Sequence, residues 1–134
     1  MALILDTGIL FAAADADDAW HARAARLLTS ERGLRIVPVT VLPEVCYLLH
    51  DRLGSAAERA FLGALGRELA VEPLHDADLD LVRELLDRKP EIGFVDASVV
   101  AVAARLRVAR IATTDRRHFT SIRLSSGFAL ELVP

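Results

Sequence analysis

Asp6, Glu44, Asp96 and Asp115 are the residues of this chain best placed to do chemistry together, although no two are close in sequence. Asp6 closes the apolar run Ala2-Leu3-Ile4-Leu5, and Asp115 closes the run from Ala109 to Thr114. Glu44 and Asp96 fall in the first turns of two segments whose apolar residues recur at helical spacing. In a parallel α/β sheet, the carboxyl ends of the strands and the amino ends of the packed helices share one edge, where ligands bind. The four carboxylates are therefore expected to converge there. Crowded carboxylates repel one another and lose hydration, so at neutral pH they need protons, basic partners or bound cations. Mg2+ or Mn2+ meets that need, because both are hard ions that take oxygen ligands. One or two such ions can activate water and stabilise the oxygens of an in-line displacement at phosphorus. The chemistry indicated is metal-assisted phosphodiester hydrolysis.

Singly, each acid has a plainer explanation. Glu44 and Asp96 suit the positive end of a helix, Asp115 can open a turn, and Asp6 can cap a helix after the first strand. Thr7, Thr113 and Thr114 carry the same ambiguity, since a hydroxyl beside a carboxylate either orients a ligand or satisfies the backbone. The weight lies in four acids from four segments arriving at equivalent positions.

The elements that must carry them read as alternating strands and helices. Ala2 to Leu5 is a short apolar strand, buried on both faces. The next clear element opens at Asp18 as N-cap, with Trp20, Ala24, Leu27 and Leu28 on one face and Gly33 as its stop. Arg35 to Val39 is a second strand. Thr40 is expected to cap the following helix, which holds Pro43 in its first turn, turns Val45, Leu48 and Leu49 inward, and ends near Gly54. Ser55-Ala56-Ala57-Glu58 has the form of a capping box, and Phe61, Leu62, Leu65 and Leu69 continue at helical spacing. Ala70 to Leu74 is a third strand, and Asp76 to Arg88 an amphipathic helix closed by Lys89-Pro90. A helix from about Val95 buries Val99, Val100, Ala103 and Leu106. Ala109 to Thr114 is the fourth strand, and Phe128 to Val133, after the turn Ser125-Ser126-Gly127, the last. The fold class is α/β, a mainly parallel central sheet flanked by helices.

Composition bounds the rest. At 134 residues the chain is expected to form one domain over 1–134, and 53% hydrophobic residues exclude disorder as its main character. No apolar stretch approaches the roughly 20 residues a bilayer requires, and the N-terminus lacks the basic region of a secretory signal. With a lone cysteine, Cys46, no internal disulfide or Cys-rich zinc site is available, and a cytoplasmic location is expected. A net charge of −3 makes the molecule as a whole no magnet for nucleic acid. Arg105, Arg107, Arg110, Arg116, Arg117 and Arg123 nevertheless crowd one stretch, as a phosphate-contacting patch or a solvated helix end.

Leu5-Asp6-Thr7-Gly8, Glu44, Val95-Asp96-Ala97-Ser98 and Thr113-Thr114-Asp115-Arg116-Arg117-His118-Phe119 together resemble the PIN-domain family, and more narrowly the VapC-type toxins of bacterial toxin–antitoxin pairs. The resemblance runs over essentially the whole chain. It implies a PIN-like three-layer sandwich and an Mg2+- or Mn2+-dependent endoribonuclease, a homodimer paired with a VapB-like antitoxin. It further implies that Asp6 and Asp96 are the principal metal ligands, that Glu44 and Asp115 complete the acidic site, and that Thr113 supports them. Thr7, Arg116 and His118 are the further candidates for contact with substrate or ligands. Two departures stand out: Gly8 replaces the serine or asparagine of many relatives, and His118 stands where some have a further acid, either touching RNA or lying as a loop histidine.

Other chemistries fit less well. A receiver-like phosphoacceptor needs an acidic pair where Asp6-Thr7 stands, and a haloacid-dehalogenase-type phosphatase needs an Asp where Gly8 stands. Cys46 and His50 could meet four residues apart on a helix, but Cys46 reads as a small core residue. His21, His50 and His75 have no zinc spacing. The alternative from another class is a catalytically inactive PIN-fold module that binds RNA or protein.

Overall fold

The computed structural model describes residues 1–134, and its centre is one five-stranded, wholly parallel sheet in the order β3-β2-β1-β4-β5. The strands are β1 (Ala2–Leu5), β2 (Leu34–Pro38), β3 (Ala70–Glu72), β4 (Arg110–Ala112) and β5 (Glu131–Val133). In register, Ile4 lies opposite Ile36 on one side and Ile111 on the other. Seven helices connect them: α1 (Thr7–Ala14), α2 (His21–Ser30), α3 (Leu42–Leu53), α4 (Ser55–Ala64), α5 (Asp76–Arg88), α6 (Gly93–Leu106) and α7 (Arg116–Thr120). The chain steps outward from β1 to β3 and then returns past β1 to β4. Because parallel crossovers are right-handed, that reversal puts helices on both faces of the sheet. The three-layer α/β expectation is met.

The core follows from this layering. Leu3, Ile4 and Leu5 of β1 are fully buried, as are Ile9 of α1, Val99 and Val100 of α6 and Ile111 of β4. Helix α6 is buried continuously from Ala97 to Ala103, so its small residues let it approach the sheet closely. No helix is long and apolar enough to cross a membrane.

Several local expectations are corrected. Helix α1 is the one Asp6 can cap after the first strand, and its bounds are not marked in the sequence: TGILFAAA is almost wholly apolar and shows no amphipathic period. Asp18 does not cap α2; it accepts a hydrogen bond from the Trp20 N–H at 2.8 Å, and the helix opens at His21 with Trp20 in the cap position. Thr40 lies in a 3-10 turn before α3, and its hydroxyl meets Ser98 Oγ at 2.6 Å, tying that turn to α6. The Ser55 capping box is absent, because Gly54 at φ +96° separates α3 from α4 and Ser55 is already helical. Glu58 accepts instead from His50 Nδ1 at 2.9 Å. Helix α4 stops at Ala64, and Leu69 forms an isolated bridge with Leu65. The last strand is three residues long and does not begin at Phe128.

Candidate active site

The strand order reverses between β1 and β4, and at such a switch point the loops leaving the carboxyl ends diverge and open a crevice. Asp6 leaves β1 there and Asp115 leaves the loop after β4, while Glu44 and Asp96 occupy the first turns of α3 and α6. Hydrogen bonds and mutual charge coupling join all four. Asp6, 6% exposed, is the N-cap of α1: its Oδ1 accepts from the Thr7 N–H at 2.8 Å. Its Oδ2 accepts from the Thr113 hydroxyl at 2.9 Å, and the same hydroxyl oxygen accepts from the Asp115 N–H at 3.0 Å. Thr113, fully buried, thus couples the two strand ends. Thr7 donates its hydroxyl to Glu44 Oε1 at 2.7 Å, joining α1 to α3.

His118 extends these contacts to Asp96. It lies on α7, with Nδ1 2.7 Å from Asp96 Oδ2 and 3.4 Å from Asp115 Oδ2. The loop-histidine alternative is therefore set aside: one imidazole nitrogen sits between two of the carboxylates. The sequence offered only a hint of this, the proximity of His118 to Asp115 at i, i+3.

Electrostatics records how crowded the acids are. Burial, chiefly, pushes the Asp6 carboxyl up to about 6, and the charges of Asp96 and Glu44 add to the rise against the hydrogen bonds of Thr7 and Thr113. Burial also raises Asp96, assisted by Asp115 and Glu44 and opposed by His118. No Lys or Arg forms an ion pair with Asp6, Glu44 or Asp96; the arginine nearest Asp115, Arg117, approaches no closer than 3.9 Å and is 91% exposed. An all-oxygen donor set under its own repulsion fits a hard divalent cation. No three of the carboxylates close into a cage, however; their oxygens are directed toward Thr7, Thr113 and His118.

The arginine stretch does not form one patch. Arg105 is bound to Asp78, Glu72 and the Pro73 carbonyl, and Arg110 to Glu31 at 2.7 Å. Arg107 holds the left-handed end of α6, and Arg123 donates to the Thr120 and Ile122 carbonyls. Arg116 and Arg117, exposed on α7 directly after Asp115, are the ones beside the acids. Arg116 also donates to the Pro134 carbonyl.

The fold and the order of these segments are those of PIN domains, and the chain belongs to that family, whose model matches residues 3–123. Within it, the chain is similar to ribonuclease VapC26 of Mycobacterium tuberculosis, 31% identical over 135 residues that span 98% of this chain and 100% of that protein. The crystal structure of VapC20 from the same organism, a Sarcin-Ricin loop cleaving toxin, superposes with a TM-score of 0.82 at 27% identity, covering 98% of this chain and 99% of that one. VapBC2 from Rickettsia felis, solved with a DNA fragment from their promoter, gives 0.71 at 18% identity over 100% of both chains, a likeness of fold.

Proposed function

We propose that this chain is a VapC-type toxin, a divalent-metal-dependent endoribonuclease formed by one PIN-like domain over residues 1–134 and acting on RNA in the cytoplasm. The observation that carries the reading is the meeting of Asp6, Glu44, Asp96 and Asp115 at the β1/β4 switch point with no Lys or Arg paired to Asp6, Glu44 or Asp96. The whole-length likeness to ribonuclease VapC26 and to the toxin VapC20 supports RNA as the substrate.

Asp6 and Asp96 are the principal metal ligands in this reading, with Glu44 and Asp115 completing the site. A bound Mg2+ or Mn2+ ion supplies water activation at neutral pH and neutralises charge on the scissile phosphate. The protein's own groups prepare the rest. Thr113 fixes one Asp6 oxygen, and the His118 imidazole restrains Asp96, so that both carboxylates hold their orientation without reorganising. Thr7 engages only Oε1 of Glu44, leaving Oε2 to accept a proton from the attacking water. Arg116 and Arg117 draw the RNA backbone to the acidic edge. A VapB-like antitoxin is the proposed partner, and Tyr47, Leu53 and Leu62, exposed on α3 and α4, offer apolar surface for it or for the second chain of a homodimer.

Incubation of the purified chain with RNA tests this. Cleavage is expected with Mg2+ or Mn2+, and it should be lost on chelation and in Asp6→Asn and Asp96→Asn. Equal cleavage by wild type and both variants would remove the assignment, and metal binding without cleavage of any RNA would leave the binding-module alternative. Expression of the chain alone should slow bacterial growth, with relief by a small gene encoded beside it.

A further inference from the structure

Gly8 is the second residue of α1, immediately after Asp6 and Thr7, and the structure shows why a side chain is absent there. A Cβ built on Gly8 would overlap Thr114 Oγ1, and it would lie 3.4 Å from Thr114 Cβ. Glycine is among the poorest helix residues, so its use in this turn needs a local reason, and close approach of another group is the usual one. Here that group is a hydroxyl. Thr114 is half-buried between Thr113, which binds Asp6, and Asp115. Its own hydroxyl takes part in none of the hydrogen bonds that knit the site, all of which run through Thr7, Thr113 and His118.

Building on the nuclease reading above, we propose that Thr114 is a substrate-positioning residue: its hydroxyl, admitted by the missing side chain of Gly8, binds a phosphate oxygen of the RNA at the acidic edge. The two residues form a pair. Helix α1 gives up a side chain so that the loop after β4 can deliver a donor into the same volume. A hydroxyl there donates to a phosphate oxygen without adding negative charge to a site that already holds four acids.

The pairing makes a test that separates function from folding. Gly8→Ala should fold at least as well as wild type, because alanine favours the helix once Thr114 rotates aside, yet RNA cleavage should fall about tenfold, the cost of losing one hydrogen bond to a charged group. Thr114→Ala should lose as much, and the double variant should lose no more than either alone. Thr114→Ser should keep most of the activity, and Gly8→Ser in the Thr114→Ala background should recover part of it. Gly63→Ala serves as control, since nothing lies within 4 Å of its Cβ position.

Binding of a fluorescein-labelled RNA stem–loop in the Asp6→Asn background provides a readout that needs no turnover. Weaker binding by the Gly8→Ala and Thr114→Ala forms supports the pairing. Unchanged binding with unchanged cleavage overturns it, as do losses that multiply in the double variant. Absence of cleavage by wild type would defeat the nuclease reading, whereas the binding comparison decides this one separately.

Discussion

Two carboxylates are buried in this molecule under opposite regimes. Asp78 on α5 is 4% exposed and receives the Arg105 guanidinium at 2.9 and 3.1 Å, while the same arginine reaches Glu72 at 3.0 Å and the Pro73 carbonyl. Asp6 is 6% exposed and receives only a backbone N–H and a threonine hydroxyl, with further acids as its charged neighbours. The first arrangement is complete: charge is balanced, and Arg105 is held more firmly protonated than usual. The second is unbalanced. Structural acids bring their counter-charge within the chain, whereas a site built for a divalent ion leaves it to the ion.

Breaking each regime should give opposite signatures. The largest effect is expected for Asp6→Asn, with RNA cleavage falling on the order of a thousandfold while the fold persists, because in the proposed reading the removed charge serves ligation and not packing. Rates measured beside unfolding curves check both halves. Next, Arg105→Ala should destabilise the protein by about 3 kcal/mol in chemical denaturation, leaving Asp78 buried and uncompensated. Its kcat should stay near wild type at temperatures where it remains folded.

Asp6 also predicts a pH dependence of opposite sign to that of an ordinary paired carboxylate. Its folded value near 6 lies above the usual 3.8, so the folded state binds the proton more tightly than the unfolded state. That contribution to stability is full below about pH 4 and is lost as pH rises through about 6, an effect of about 1–3 kcal/mol. Unfolding free energies of wild type and Asp6→Asn should therefore converge at pH 4 and separate at pH 8, with the variant more stable there. Coincident curves at both pH values would show that Asp6 is not strained by its burial. The smallest effect is expected for Thr113→Val, which keeps the shape but frees an Asp6 oxygen; cleavage should fall about tenfold and Mn2+ affinity should weaken with it.

Much of this contrast was legible in the chain. The four acids were readable because each follows a strand or opens a helix, and parallel topology assigns such positions to one edge. What was not legible depended on contacts across the fold. Thr7 to Glu44 and His118 to Asp96 join residues 37 and 22 positions apart, and no spacing rule connects them. The arginines divide for the same reason: Arg105 and Arg116 lie in one stretch of sequence, but one binds Asp78 of α5 and the other the Pro134 carbonyl. The extent of helix α1 was not readable, because burial of Ile9 to Ala12 in succession erases the periodicity that reveals a helix. Thr40 and Ser55 had the chemistry of caps, but a tertiary partner, Ser98, and a backbone turn at Gly54 took precedence.

The central claim is that the acids at the β1/β4 edge, with no Lys or Arg paired to Asp6, Glu44 or Asp96, take a divalent ion as their counter-charge. Thermal unfolding with and without Mn2+ tests this without requiring knowledge of the RNA. The account predicts that Mn2+ raises the unfolding midpoint of wild type at neutral pH and leaves Asp6→Asn and Asp96→Asn nearly unmoved. A midpoint indifferent to Mn2+, or one raised equally in all three proteins, would contradict it.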